Sequence, residues 1–404
     1  MAMDRLLTLM SEKKASDLFL SPGAAVQIKI HGAMAAVNQQ PLEPASVEHL
    51  LREVLTERQW AQFEQDNELN IGYALRGVGS FRFSVFRQRG SPAAVVRYIP
   101  GEVPGFDTLG LPRFLTEMVM EKRGLLLMVG ATGSGKSTTL ASLLDYRNQH
   151  ASGHILTLED PIEYTFRHRR SLVNQRQIGT DTEGLDVALR NALRQAPDCL
   201  MIGEIRDTDT MSAAIAYAQS GHLVLSTLHA NTAAHALTRI LGFYAPENRR
   251  VMLSDLAATL RCVVSQRLLP AMSGGRIAAV EILTNTTLIS ELIEQGRIGE
   301  IREAMEKSLS PGSQTFERAL VALVRSKKVT LDDALAQADS PTNLLWLLEN
   351  IDDQPPAGPA TPAATPAARR PPMAAAAGAT PPGANPAAPR VADGPSFSGF
   401  SINL

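Results

Sequence analysis

Short, mainly apolar runs recur along the middle of the chain, at residues 125–129, 155–158, 199–202, 223–226 and 277–282, separated by stretches long enough for helices. A strand covered on both faces reads as such a run, so the pattern predicts parallel βαβ units from about residue 111 to 283. The first hundred residues follow another rule. There Val26, Ile28 and Ile30 alternate with Gln27 and Lys29, and Phe81, Phe83 and Val85 alternate with Arg82, Ser84 and Phe86, as in strands with one covered face. Leu50, Leu51, Val54, Leu55, Trp60 and Phe63 keep helical spacing. The expected fold class is α/β: a small α+β domain over residues 1–99, a Pro- and Gly-broken linker over 100–112, an alternating α/β domain over 113–287 and a helical region over 288–350.

Composition changes this picture only near the end. About half of the 25 prolines fall within residues 355–404, among many alanines and almost nothing bulky and apolar. Such a segment cannot bury enough surface to offset its ordering entropy, so residues 351–404 are expected to form a disordered tail. Its one apolar island, FSGFSINL at 397–404, is either a docking peptide or an inert end. A net charge of −2 over 404 residues gives no general pull towards nucleic acid or an anionic bilayer. Cys199 and Cys262 are too few for a thiolate zinc site or a disulfide framework and fit a reducing cytoplasm. The first apolar stretch is short and interrupted by Asp4, Glu12, Lys13 and Lys14, which argues against a signal peptide, and no run reaches the roughly 18–20 apolar residues of a membrane span. A soluble chain is expected.

The run at 125–129 leads directly into Gly130, Ala131, Thr132, Gly133, Ser134, Gly135, Lys136 and Ser137, followed by Thr138 and a helical stretch. Two glycines, a lysine and a hydroxyl at this spacing form the P-loop pattern, in which a tight turn between strand and helix aims backbone N–H groups at phosphate. Lys136 is placed to reach the β- and γ-phosphates, and Ser137 to put its hydroxyl on Mg²⁺. ATP is the expected ligand. The short DxxG pattern at Asp181 to Gly184 has only two fixed letters, and no NKxD guanine signature accompanies it, so GTP is disfavoured.

The other chemistry falls where later runs stop. After 155–158 comes EDPIEY, with Glu159, Asp160 and Glu163; after 199–202 comes GEIRD, with Glu204. An acid at such a strand end is where a P-loop fold holds Mg²⁺, which makes Glu204 the Walker B candidate. A second carboxylate can deprotonate the attacking water, and Glu163 is the choice for that role. His229, in STLHANTA, is placed to sense the γ-phosphate, whereas His222 opens the same strand at its other end. Arg82, Arg97, Arg206 and Arg239 are candidates to balance transition-state charge, the first two from the N-terminal domain. Arg167, His168, Arg169 and Arg170 read as an exposed loop face.

In this order and spacing, ASDLFLSPG, FRFSVFRQRG, GATGSGKSTT, HILTLEDPIEY, LRQAPDCLMIGEIRD and SGHLVLSTLHANTA resemble the secretion ATPase superfamily, and within it the type IV pilus retraction ATPases of the PilT and PilU group. The resemblance spans about residues 4–350. It implies a PAS-like N-terminal domain, a RecA-like domain, and a homo-hexameric ring with ATP and Mg²⁺ between the domains. It assigns catalysis to Glu163, the Walker B role to Glu204, the histidine box to His229, and the N-terminal arginines to Arg82 and Arg97. It further implies a cytoplasmic motor at the pilus base, acting on an inner-membrane platform protein, with neither nucleic acid nor membrane insertion. Where PilT proteins carry Ala-Ile-Arg this chain reads Leu288, Ile289, Ser290, and VGATGSGKST, DYRN and ADSPTNLLWLL lie closer to the PilU branch. That branch implies an accessory motor beside a PilT-type ATPase. A pilus assembly or type II secretion ATPase is the alternative, although two cysteines do not provide the four-cysteine insertion usual there. An adaptor that binds ATP without hydrolysing it is another, opposed by intact Lys136, Ser137, Glu163 and Glu204. An ATPase acting on nucleic acid is opposed by the charge balance.

Overall fold

The computed structural model describes residues 1–350 apart from 31, 32, 100, 101 and 309. The expected tail and its apolar island lie outside the described residues. Two sheets organise the rest, each with its own core.

The first sheet contains β1 (Asp17–Leu20), β2 (Gln27–Ile30), β3 (Ala33–Ala36), β4 (Glu68–Leu75), β5 (Gly79–Gln88) and β6 (Ser91–Ile99), in the order β3-β2-β1-β6-β5-β4 and antiparallel throughout. Along β5 the expected alternation is observed: Phe81, Phe83 and Val85 are buried and Arg82 is exposed. The covered face packs on Met3, Leu7 and Met10 of helix Ala2–Glu12 and on Trp60 and Phe63 of helix Glu57–Asp66. Each large side chain fully buried in this way contributes roughly 1.5–3 kcal/mol. The second of these helices starts where its capping box dictates. Gln59 N–H donates to the Thr56 hydroxyl (3.3 Å) while Thr56 N–H donates to the Gln59 side-chain oxygen (3.0 Å).

The second sheet contains β7 (Gly124–Val129), β8 (Gly153–Glu159), β9 (Ser171–Gln177), β10 (Cys199–Ile202), β11 (Leu223–Leu228), β12 (Leu260–Pro270) and β13 (Arg276–Thr284), in the order β13-β12-β7-β11-β10-β8-β9. Every pairing from β12 to β9 is parallel. β7, β10 and β11 are buried along their whole length, as continuous apolar runs require. The chain leaves β7, crosses beyond β11 and β10 to form β8, and later returns, so the carboxyl ends of four strands converge around the end of β7. That is where a ligand site belongs in such a sheet.

Two expectations are corrected. The sheet is not wholly parallel: β12 and β13 form an antiparallel hairpin, its turn relying on Gly274 and Gly275 at φ +89° and +77°. β9 and β12 are strands beyond those expected. Residues 102–112 lack any strand or α-helix, and within them Phe106 and Leu111 are buried beside Leu115 and Val119 against the second sheet. The helices Phe316–Arg325, Leu331–Gln337 and Pro341–Asn350 enclose a small core of their own, in which Phe316, Leu320 and Leu344 meet Leu269 of β12 and Ala279 of β13.

Candidate functional site

The turn after β7 takes the form its glycines permit. Gly133 and Gly135 have φ +78° and +88°. Gly135 caps helix Lys136–His150, and a Cβ there would lie 2.7 Å from the Gln266 amide nitrogen. The loop therefore wraps on the start of a 15-residue helix whose first N–H groups point outward. The Lys136 ammonium is buried and donates to the carbonyls of Gly130 (2.8 Å) and Ala131 (2.9 Å). Burial lowers its pKa, opposed by the negative charges of Glu204 and Glu163. The Thr138 hydroxyl meets the Tyr164 hydroxyl at 2.8 Å, which ties the loop to the segment after β8.

Backbone pairing continues past the end of β10 and fixes Glu204. Gly203 N–H donates to the Leu158 carbonyl (2.8 Å), Ile205 N–H donates to the Thr227 carbonyl (2.9 Å), and the Thr227 hydroxyl donates to Gly203 (2.7 Å). One oxygen of Glu204 receives the Arg206 guanidinium at 2.8 Å, and the other faces His229 Nε2 at 3.1 Å. The carboxylate thus has cationic or imidazole partners on both oxygens, which offsets the cost of its partial burial. Glu163 is exposed at the mouth, its N–H reaching towards Glu159 Oε2 at 3.5 Å.

One cavity of about 550 Å³ gathers Lys136, Ser137, Glu163, Glu204, Arg206 and His229, and is closed on one side by Arg82 of the first sheet. The two sheets meet beside Arg82 at Gly72, its register partner on β4, where an added Cβ would lie 2.6 Å from Gln177 Oε1 at the end of β9 and would have to push that flexible amide aside.

Other sequence candidates are placed elsewhere. Arg97 is the register partner of Arg82, but it does not line this cavity; its Nε donates to Asp17 at 2.9 Å across β1. Arg239 donates to the His229 carbonyl (2.9 Å) and lines an adjoining cavity of about 390 Å³ with Gly130, Ala131 and His235. His222 sits at the far end of β11, where its carbonyl accepts from Gly124 N–H (3.0 Å). Asp181, first letter of the DxxG pattern, accepts from Gln177 N–H (2.8 Å) and closes the turn after β9. Arg167 to Arg170 are exposed, as expected.

Two acids carry more than their spacing revealed. Glu159, passed over for Glu163, lines the cavity floor and is 7% exposed. Burial raises its pKa, against hydrogen bonds from Thr157 (2.6 Å) and Gln175 (3.0 Å). Glu281 on β13 accepts the Ala233 N–H at 2.6 Å, and burial pushes its pKa up to about 7. Gln266 and Arg267, also missed, lie on β12 behind the loop; the polar triplet Ser265, Gln266, Arg267 inside an otherwise apolar run was the available signal.

Among the described residues no group of three or more His, Cys, Asp and Glu is placed to hold a metal by itself. The Ser137 hydroxyl and Glu204 carboxylate are hard oxygen donors lining one cavity, a donor set that suits Mg²⁺ completed by phosphate and water.

The family model for "Type II/IV secretion system protein" matches residues 1–315. Over 350 residues the chain is 42% identical to the type IV pilus ATPase PilU of Pseudomonas aeruginosa, covering 86% of this chain and 92% of that protein. It is 37% identical to the type IV pilus retraction ATPase PilT of the same organism over 343 residues, 85% of this chain and all of that one. The crystal structure of the pilus retraction motor PilT with bound ADP superposes with a TM-score of 0.78 at 39% identity, over 84% of this chain and 99% of that one. The ATPase DotB of Legionella pneumophila superposes with a TM-score of 0.74 at 25% identity, over 83% and 94%.

Proposed function

Because the chain belongs to the type II/IV secretion system protein family, we propose that it is an ATPase that powers type IV pilus retraction, as an accessory motor beside a PilT-type ATPase. The observation that carries this is the single cavity in which a P-loop, two separate carboxylates and a histidine meet an arginine from the other sheet. Hydrolysis in that seam acts on both sheets at once, which is what a motor requires.

The chemistry follows from positions. ATP lays its phosphates against the loop N–H groups, and Lys136 exchanges two neutral carbonyl partners for phosphate oxygens. Ser137 and Glu204 are the residues to hold Mg²⁺, which neutralises β- and γ-phosphate charge when bound. Glu163 accepts a proton from water as the water oxygen attacks the γ-phosphorus and the bond to the β–γ bridging oxygen breaks, releasing ADP and phosphate. Arg82 and Arg206 face the charge that spreads over the γ-oxygens. His229, held by Glu204, is placed to register loss of the γ-phosphate.

The working form in this reading is a homo-hexamer with two lobes per subunit, residues 1–99 and 113–287, in the cytoplasm at the inner-membrane platform protein of the pilus. None of the helices among the described residues is long and apolar enough to cross a membrane. In place of the Ala-Ile-Arg arginine, Ser290 donates to the Ala257 carbonyl (3.2 Å), a contact between helices Thr287–Glu294 and Arg249–Thr259 that supports the accessory rather than the independent role. The test is complementation of a strain lacking this protein, by wild type and by Lys136→Ala, with and without the PilT-type ATPase. Rescue of retraction by wild type only with the partner present is expected. Rescue by Lys136→Ala would overturn hydrolysis as the driving event, and failure of wild type in both backgrounds would overturn the pilus role.

A further inference from the structure

The loop that carries His229 is gripped from behind by β12 and β13. The Asn231 carbonyl, two residues on, accepts from the Ser265 hydroxyl (2.9 Å) and from Arg267 Nη2 (3.3 Å). Helix Ala233–Phe243 then starts with Thr232 capping His235 N–H, and Glu281 takes the Ala233 N–H. The loop is thereby pinned at both ends.

Of these anchors, Arg267 also reaches outward. Its Nη2 lies 2.6 Å from Asp339, its Nη1 donates to the Gln337 carbonyl, and its guanidinium carbon sits 4.0 Å above the centre of the Phe316 ring. Phe316 is fully buried, and Asp339 joins helices Leu331–Gln337 and Pro341–Asn350. The ion pair is four-fifths buried on both sides, a geometry in which a planar fork holds its partners firmly. The next residue towards the N-terminus does the same for the other half of the site. Gln266 donates to the Ser134 carbonyl (2.8 Å) and accepts from the Thr139 hydroxyl (2.8 Å), and strand alternation sends its side chain to the opposite face from Arg267. A cavity of about 500 Å³, lined by Gly130, Asn231, Arg267, Gln337 and Asp339 among others, adjoins the loop and the C-terminal helices together.

We propose that Arg267 is a positioning residue for His229, and that its pairing with Asp339 makes turnover at the nucleotide cavity depend on the placement of the C-terminal helices. The proposal rests on the role given to His229 above. No atom of Arg267 needs to touch ATP. Drawing the helices away frees Arg267 from one of the two anchors of Asn231, leaving the Ser265 hydroxyl alone, and loosens the alignment of the histidine with Glu204.

The test is steady-state ATPase kinetics on the full-length protein, with assembly state and Tm recorded alongside. Arg267→Leu is expected to lower kcat about tenfold or more while KM for ATP changes by less than about threefold, since misplacement by an ångström reaches effects of that size. Asp339→Ala is expected to lower kcat less, and to add nothing in the Arg267→Leu background, because both act through one contact. Met10→Ala opens the core of the six-stranded sheet, which contains neither Arg267 nor any of its partners; it should lower Tm and leave kcat at moderate temperature unchanged. Wild-type kcat for Arg267→Leu, or an equal loss of kcat in Met10→Ala at equal loss of Tm, overturns the proposal. His229→Ala, measured in parallel, separates the two readings: if it alone lowers kcat, only the coupling through Arg267 fails, and if it has no effect, the histidine's role fails with it.

Discussion

In the seven-stranded sheet chemistry begins where an apolar run stops: Val129 gives way to Gly130, Leu158 to Glu159, Ile202 to Gly203 and Glu204, and Leu228 to His229. In the six-stranded sheet it rides on the middle of a strand, on the face its own core leaves open, with Arg82 standing between the buried Phe81 and Phe83. Strand ends are positions that a parallel sheet must bring together, so they predict one another. An open face predicts nothing by itself, because its neighbour decides what each residue does. Arg82 and Arg97 are register partners, yet one lines the cavity beside the P-loop and the other pairs with Asp17.

That contrast is sharpest at Glu204. Glu204→Ala removes the shared partner of Arg206 and His229, and hydrolysis is expected to fall on the order of 10²-fold or more with assembly intact. Steady-state phosphate release checks this, and wild-type turnover would break the strand-end account. The arginine pair comes next. Arg82→Ala is expected to lower kcat about tenfold or more, whereas Arg97→Ala should change kcat by less than about twofold and cost at most about 1 kcal/mol of stability, as an ion pair with an exposed arginine does. Equal kinetic losses in the two would erase the distinction drawn between them.

The smallest effect expected concerns stability. Glu281 has a folded pKa raised by burial to about 7 from 4.5, so the fold favours its protonated form. Its contribution is complete below pH 4.5 and is lost as pH rises through about 7. Glu281→Gln keeps an acceptor for the Ala233 N–H and sheds the charge, so it should exceed wild type in stability above neutrality by about 1–3 kcal/mol and match it in acid. Denaturation at both ends of that range decides it; identical pH profiles would discharge Glu281 from the account.

What could be read from the sequence followed the same division. β10 occupies the residues expected of it, and the P-loop, Glu163, Glu204 and His229 share a cavity as their positions after apolar runs implied. β9 escaped because an edge strand alternates weakly: Ser171 and Val173 are buried while Leu172 is exposed. β12 escaped because Ser265, Gln266 and Arg267 look like a loop until their partners are known, and those partners lie far away along the chain, at Asn231, Ser134, Thr139 and Asp339. Glu159 and Glu163 differ by burial, which depends on Gln175 of the unforeseen β9. Long-range partners, not residue types, were the missing information.

Gly72 acts as a shim of zero thickness. The space that a Cβ would need at Gly72 holds the amide of Gln177, with Arg82 beside it in register, so the seam between the two sheets closes here on glycine backbone and the end of one flexible side chain. A side chain added at this point would displace that amide, and any widening of the seam would lift the guanidinium off the cavity it lines.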